Sequence, residues 1–141
     1  MSIKVKIVSP EKVLFAHDAD MVVMPGAEGD IAAMPEHAPL MLTLRGGVVD
    51  VYEDGAVTHR FFVAGGFADI APTHCTILAD RATGLAELSV DDAEARLAAL
   101  EKSYEEADKM NVPALDILMG KMQSARAEID AAQSAVPAMS I

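Results

Sequence analysis

The sequence predicts a β + α chain: an N-terminal β-sandwich of about ten short strands over residues 1–86, then an antiparallel two-helix hairpin over residues 87–141. Three observations carry that prediction. Up to about Ala86, apolar and polar residues alternate in short segments punctuated by Pro, Gly and Asp, the pattern of strands with one buried face. Beyond Leu88 the composition turns to Ala, Glu, Asp, Leu and Lys, with no Gly before Gly120, and the apolar period lengthens to roughly 3.5. Finally, 141 residues of which 52% are apolar can bury a real core, and with 4% aromatics and no Trp that core must be mainly Val, Ile, Leu, Met and Ala.

Taken in order, Ile3, Val5 and Ile7 face one way against Lys4 and Lys6, and Ser9-Pro10-Glu11 turns the chain into Lys12-Val13-Leu14-Phe15. Further strands are expected at 20–24, 47–52, 57–64, 67–71 and 76–79. Glu53-Asp54-Gly55 joins two of them, because Gly tolerates the positive φ of a tight hairpin. Ser89 or Asp91 caps the first helix, and Asp91, Asp92 and Glu94 suit the positive end of its dipole. Ala93, Leu97, Leu100, Tyr104 and Ala107 then form one apolar stripe. Asn111-Val112-Pro113 breaks the pattern, with Pro113 in the first turn of a second helix, where its missing N–H costs nothing. Leu115, Leu118, Met122, Ala125, Ile129 and Ala132 make the facing seam, and Pro137 ends the order. Two helices cannot enclose a core, so the hairpin must lean on the sandwich or on another protein.

The formal net charge of −11 argues against nucleic acid as a partner, since affinity for phosphate backbones comes from Lys and Arg. It argues equally against adsorption to anionic lipid. The first seven residues lack the apolar stretch of a signal peptide, and no run approaches the ~20 apolar residues that span a bilayer. The chain is therefore expected to touch a membrane only through a complex. A single cysteine, Cys75, cannot form an internal disulfide and reads as small strand filler in a reduced compartment.

No catalytic constellation stands out. His17, His37, His59 and His74 are scattered without metal-ligand spacing. There is no Gly-x-Ser-x-Gly and no phosphate loop ending in Gly-Lys-Ser/Thr. His74 and Cys75, neighbours on a strand, point to opposite faces and make no nucleophile–base pair.

The most unusual stretch is residues 25–40, Pro-Gly-Ala-Glu-Gly-Asp-Ile-Ala-Ala-Met-Pro-Glu-His-Ala-Pro-Leu. Two Gly and three Pro impose a tightly turned path that presents Glu28, Asp30, Glu36 and His37 from turns and strand ends. Those side chains either meet water or form a docking surface. The stretch resembles the epsilon-subunit family of bacterial and chloroplast F-type ATP synthases, homologous to the mitochondrial delta subunit, whose pattern Pro-Gly-x-Glu-Gly-acid-aliphatic…Pro-x-His-Ala-Pro-Leu is nearly complete here. Val8-Ser9-Pro10-Glu11 with Phe15, and Phe62-Val63-Ala64-Gly65-Gly66-Phe67 through Ile77-Leu78-Ala79-Asp80, agree in order and spacing. The helical half matches in position and character more than in residues.

The resemblance implies a non-catalytic rotor subunit without a cofactor, peripheral on the cytoplasmic face of a bacterial inner membrane. Its sandwich would bind the gamma subunit and the c-ring, with Glu28, Asp30 and His37 at the c-ring contact, joining proton transport to ATP synthesis. Its hairpin would lie on the sandwich or extend toward the catalytic alpha/beta head and hinder hydrolysis. Two departures stand out. Relatives that bind ATP carry (Ile/Leu)-Asp-x-x-Arg-Ala at the start of the first helix, whereas here Asp92 lies four residues before Arg96 and Leu97 replaces Ala. Asp92 and Arg96 then read as an i,i+4 helix ion pair, and nucleotide binding there is not expected. The cations Arg96, Lys102, Lys109, Lys121 and Arg126 are also outnumbered by Asp and Glu, so weak or absent inhibition of hydrolysis is expected. A ligand-binding sandwich with a helical oligomerisation tail, and an enzyme using Cys75 or a histidine metal site, are the competing readings. The shortage of aromatics counts against the former.

Overall fold

The computed structural model describes residues 2–135; the end expected at Pro137 lies outside the described residues. Eight strands come first: β1 Ile3–Val8, β2 Val13–Ala19, β3 Met21–Gly26, β4 Gly29–Ala33, β5 Leu40–Glu53, β6 Ala56–Ile70, β7 His74–Ala79 and β8 Ala82–Gly84. A 3-10 turn at Leu85–Glu87 leads into α1, Val90–Glu106, and α2, Val112–Ala135. The sheet runs β2-β1-β7-β6-β5-β3-β4, with β8 paired to β6. β1 and β7 are parallel and the other pairs antiparallel.

The strand count is eight rather than about ten because β5 and β6 are long. They span 14 and 15 residues where shorter strands, 57–64 and 67–71 among them, are expected from the glycine breaks. The glycines bend the strands instead of ending them. In β5 the buried positions change from Leu44 to Val49 and Val51, and in β6 from Phe61 and Val63 to Ala68 and Ile70. The inward parity therefore slips by one at Gly46-Gly47 and again at Gly65-Gly66. A strand that switches parity presents opposite faces of its two halves to the interior, which is how one sheet folds over to enclose a core. Gly65 and Gly66 hold φ of +119° and +134°, a region barred to residues with a Cβ. Every strand from β1 to β7 contributes to the resulting core, and neither helix does.

The Asp54-Gly55 hairpin forms as expected, both residues at positive φ. Ser89 caps α1, its Oγ accepting from the Asp92 N–H at 3.2 Å, with Asp91 and Asp92 in the first turn. Pro113 occupies the first turn of α2, where the Asn111 Oδ1 accepts from the Ala114 N–H at 3.3 Å. The two seams meet: Ala93, Met122, Ala125 and Ala132 are buried, while Leu97, Leu100, Leu115, Leu118 and Ile129 are half-buried between the helices.

The hairpin leans on the sandwich through α2. Phe62 points outward from the bent sheet and is covered with Leu85 by Ala131, Ala127 and neighbours. Gly46 permits a close approach, since a Cβ there would stand 2.5 Å from the Ser124 Cα. Across that contact Gln123 makes a reciprocal pair with Gly46, accepting its N–H at 3.0 Å and donating to its carbonyl at 2.9 Å. The Ser124 hydroxyl donates to the Ala64 carbonyl at 3.0 Å.

Candidate functional site

Glu28 and Asp30 flank the β3–β4 turn. β3 runs antiparallel to β5, with Gly26 opposite Leu44, so the turn projects along β5 toward Leu40, and the Ala27 N–H donates to the Thr43 carbonyl. The loop 34–39 reaches the same end of the sheet. It leads into Leu40, opposite Ile70, and its Glu36 N–H donates to the Pro72 carbonyl in the β6–β7 turn. Glu28, Asp30 and His37, nominated from the sequence, thus share one rim of the sandwich, beside a cleft of about 560 Å³ lined by residues 26–31 and 40–43.

The three side chains are not equally available. Glu28 is exposed. Asp30 accepts from Arg45 Nη2 at 2.8 Å, and the same guanidinium also donates to the Gly26 carbonyl. His37 is half-buried, its Nδ1 donating to the Ala38 carbonyl at 2.6 Å. Arg45 was not legible as part of this rim, because it is brought to Asp30 only by the β3–β5 pairing.

A second surface lies on the outer face of β2, β1, β7, β6 and β5. Register places Val13 opposite Val8, Val8 opposite Leu78, Leu78 opposite Phe67 and Phe67 opposite Thr43. Directly opposed residues share a face, and Met41, two residues before Thr43, points the same way. Val13, Leu78, Phe67 and Met41 are 52%, 53%, 56% and 73% exposed. An apolar row across five adjacent strands exceeds the scattered apolar exposure that is ordinary on a monomer. Its members each read as strand residues in the sequence; only the register aligns them.

The third locus is the joint between hairpin and sandwich. The Asp92–Arg96 ion pair expected from i,i+4 spacing does not form. Arg96 Nη1 donates instead to Glu128 Oε1 at 2.6 Å, and Arg81 Nη2 donates to the same oxygen at 2.6 Å. Glu128 is buried on α2 with 3% exposure. A desolvated carboxylate facing two cations outcompetes a solvated neighbour one turn away, which is why the helical spacing misled. Beside this node a cleft of about 690 Å³ runs between the sheet and the helices.

Nothing catalytic assembles. Among the described residues no three His, Cys, Asp or Glu side chains converge on a metal-binding geometry. His17 and His59 pack against Phe15. Cys75 is fully buried, and its thiol is pushed up to about 12 by burial and, secondarily, by the Asp69 charge. Such a thiol is no nucleophile. No helix among the described residues is long and apolar enough to cross a membrane.

Residues 2–84 match the family described as ATP synthase, Delta/Epsilon chain, beta-sandwich domain. The chain is 72% identical over 132 residues to the ATP synthase epsilon chain of Gluconacetobacter diazotrophicus, covering 94% of each. It is 49% identical over 128 residues to that of Granulibacter bethesdensis, covering 91% of this chain and 95% of the relative. Among solved structures, a chain of the Euglena gracilis mitochondrial ATP synthase superposes with a TM-score of 0.70 at 16% identity, over 89% of this chain and 80% of that one. A chain of the Tetrahymena thermophila mitochondrial ATP synthase central stalk and c-ring gives 0.59 at 18%, over 97% and 98%. At those identities the structural likeness speaks to the fold.

Proposed function

The chain belongs to the ATP synthase delta/epsilon family as an epsilon chain, a non-catalytic subunit, and we propose that it couples c-ring rotation to the catalytic head by docking on two partners at once. The apolar row Val13–Val8–Leu78–Phe67–Met41 takes the gamma subunit, and the rim bearing Glu28, Asp30 and His37 takes the polar loops of the c-ring. The row is the observation that carries this reading. It offers a gamma-facing surface on β2, β1, β7, β6 and β5, with charged Lys6 and Asp69 in the next register row, an apolar centre with a polar margin as in stable interfaces. The rim supplies orientation more than affinity: Glu28 presents free negative charge, and Asp30 is held in place by Arg45.

Residues 1–86 serve as the docking domain and residues 87–141 as a regulatory hairpin that reaches the alpha/beta head when extended. Acidic residues outnumber basic ones along the hairpin, which supports weak inhibition of hydrolysis. The subunit is held peripherally at the cytoplasmic face of the bacterial inner membrane through the complex.

Gel filtration of the chain with the gamma subunit of the same cell tests the reading. A stable one-to-one complex is expected, weakened about tenfold or more by Phe67→Ser together with Leu78→Ser, since central apolar anchors carry most of an interface's affinity. Clean separation of the wild-type proteins at micromolar concentration would overturn it.

A further inference from the structure

The contacts that seat the hairpin differ in kind from those that hold the sandwich together. The main core contains no helical residue, so lifting the helices leaves it enclosed. Beneath α2 the one large, fully buried side chain of the sheet is Phe62, met by small residues such as Ala131 and Ala127. Most of the remaining seat is polar, comprising the Gln123–Gly46 pair and the Ser124 hydrogen bond. α1 packs principally on α2.

One side chain ties all three parts together. Glu128 of α2 receives Arg81 from the turn between β7 and β8 and Arg96 from α1, both on Oε1 at 2.6 Å. The carboxylate is 4% exposed, whereas the arginine side chains are 38% and 41% exposed. Arg81 also stands over the Phe62 ring at 5.7 Å, so the same guanidinium covers the apolar anchor. The neighbouring cleft carries Arg45, Lys121 and Asp80, leaving the arginines open to dissolved ions from one side.

We propose that Arg81–Glu128–Arg96 is a salt-sensitive latch that holds the hairpin on the sandwich and whose opening releases both helices as a unit while the sandwich stays folded. Two features set this behaviour. A buried carboxylate stripped of its cations carries an uncompensated desolvation cost, so docking without the node is strongly disfavoured. The half-exposed arginines are screened by salt, so the node weakens as ionic strength rises. With a small apolar seat beneath it, the node tips a near-balanced equilibrium that a core-like helix interface would hold fast. The proposal concerns the isolated chain and does not depend on which surface binds gamma or the c-ring.

Spin labels on cysteines introduced at Thr58 and Met110 report the separation of sandwich and hairpin tip by double electron–electron resonance on the full chain; buried Cys75 stays unlabelled. The wild type is expected to give one narrow distance at about 0.1 M KCl and a second, broad population at about 1 M. Glu128→Gln, which keeps the volume and removes the charge, should raise the undocked-to-docked ratio on the order of tenfold at low salt and flatten its salt dependence. Arg96→Gln should move both in the same direction, and amide protection in β1, β6 and β7 should be retained in each variant. A wild-type distance that stays narrow at high salt, a Glu128→Gln chain indistinguishable from wild type, or loss of sandwich protection along with the hairpin would each overturn the latch.

Discussion

Gly46→Ala is a severe test of how the helices are seated. The new Cβ would stand 2.5 Å from the Ser124 Cα, 2.6 Å from its Oγ and 2.8 Å from its Cβ, whereas carbon atoms at optimal separation lie roughly 3.5–4.0 Å apart. The nearest obstacle is backbone, so no rotamer relieves it and α2 must withdraw locally by about 1 Å. The Gln123 bonds at 3.0 and 2.9 Å and the Ser124 bond at 3.0 Å would then stretch to about 4 Å, past any useful hydrogen bond. Three bonds at a net ~1 kcal/mol each, offset in part by water reaching the freed groups, put the loss of docking at about 2–4 kcal/mol. Hydrogen exchange reads this directly: amides of α2 near Ser124 should lose protection by a factor of about thirty or more. Gly120→Ala is the matched control. Gly120 lines the same cleft, and a Cβ added there would meet no atom within 4 Å, so Ala should add up to about 1 kcal/mol of helix stability. Unchanged α2 protection in Gly46→Ala, or an equal loss throughout β1 and β7, would show that this contact does not seat the hairpin.

Two further outcomes follow from the core. Gly66→Ala would place a Cβ 2.1 Å from the Leu78 carbonyl oxygen at a φ of +134°, so the β6–β7 ladder must part; expression of soluble chain should collapse, and a melting curve like wild type would contradict the assignment of that bend. Cys75 should be inert to thiol reagents at pH 8 until the chain unfolds. Because its folded pKa is raised from 9.0 to about 12, the folded state holds the proton more tightly than the unfolded one. Its contribution to stability is complete below pH 9 and is lost as pH rises from 9 toward 12; rapid labelling of native protein at pH 8 would show that the thiol is not buried.

Much of this molecule is written locally. Period two up to Ala86 and a period near 3.5 after Leu88 specify strands and helices because each residue's side-chain direction depends on its own backbone. Ser89, Pro113 and Asp54-Gly55 end or begin elements through bonds and dihedrals spanning three or four residues. The block at 25–40, with its partners around Val8 and Phe62, was enough to point to the family. Gly65 and Gly66 show where locality misleads: as isolated letters they read as a break, and only pairing to both neighbours keeps β6 continuous through them. The apolar row is likewise assembled from residues up to 65 positions apart by strand register, and register is a property of pairs. Arg96 makes the point most sharply. Its helix neighbour Asp92 was the partner that spacing allowed, but Glu128, 32 residues on, takes it, because burial raises the cost of leaving that carboxylate unpaired. The elements, the family and the rim residues were thus legible in the chain alone. Which strands face outward together and which charges meet were settled by folding, since those depend on long-range packing and on burial, neither of which a single segment contains.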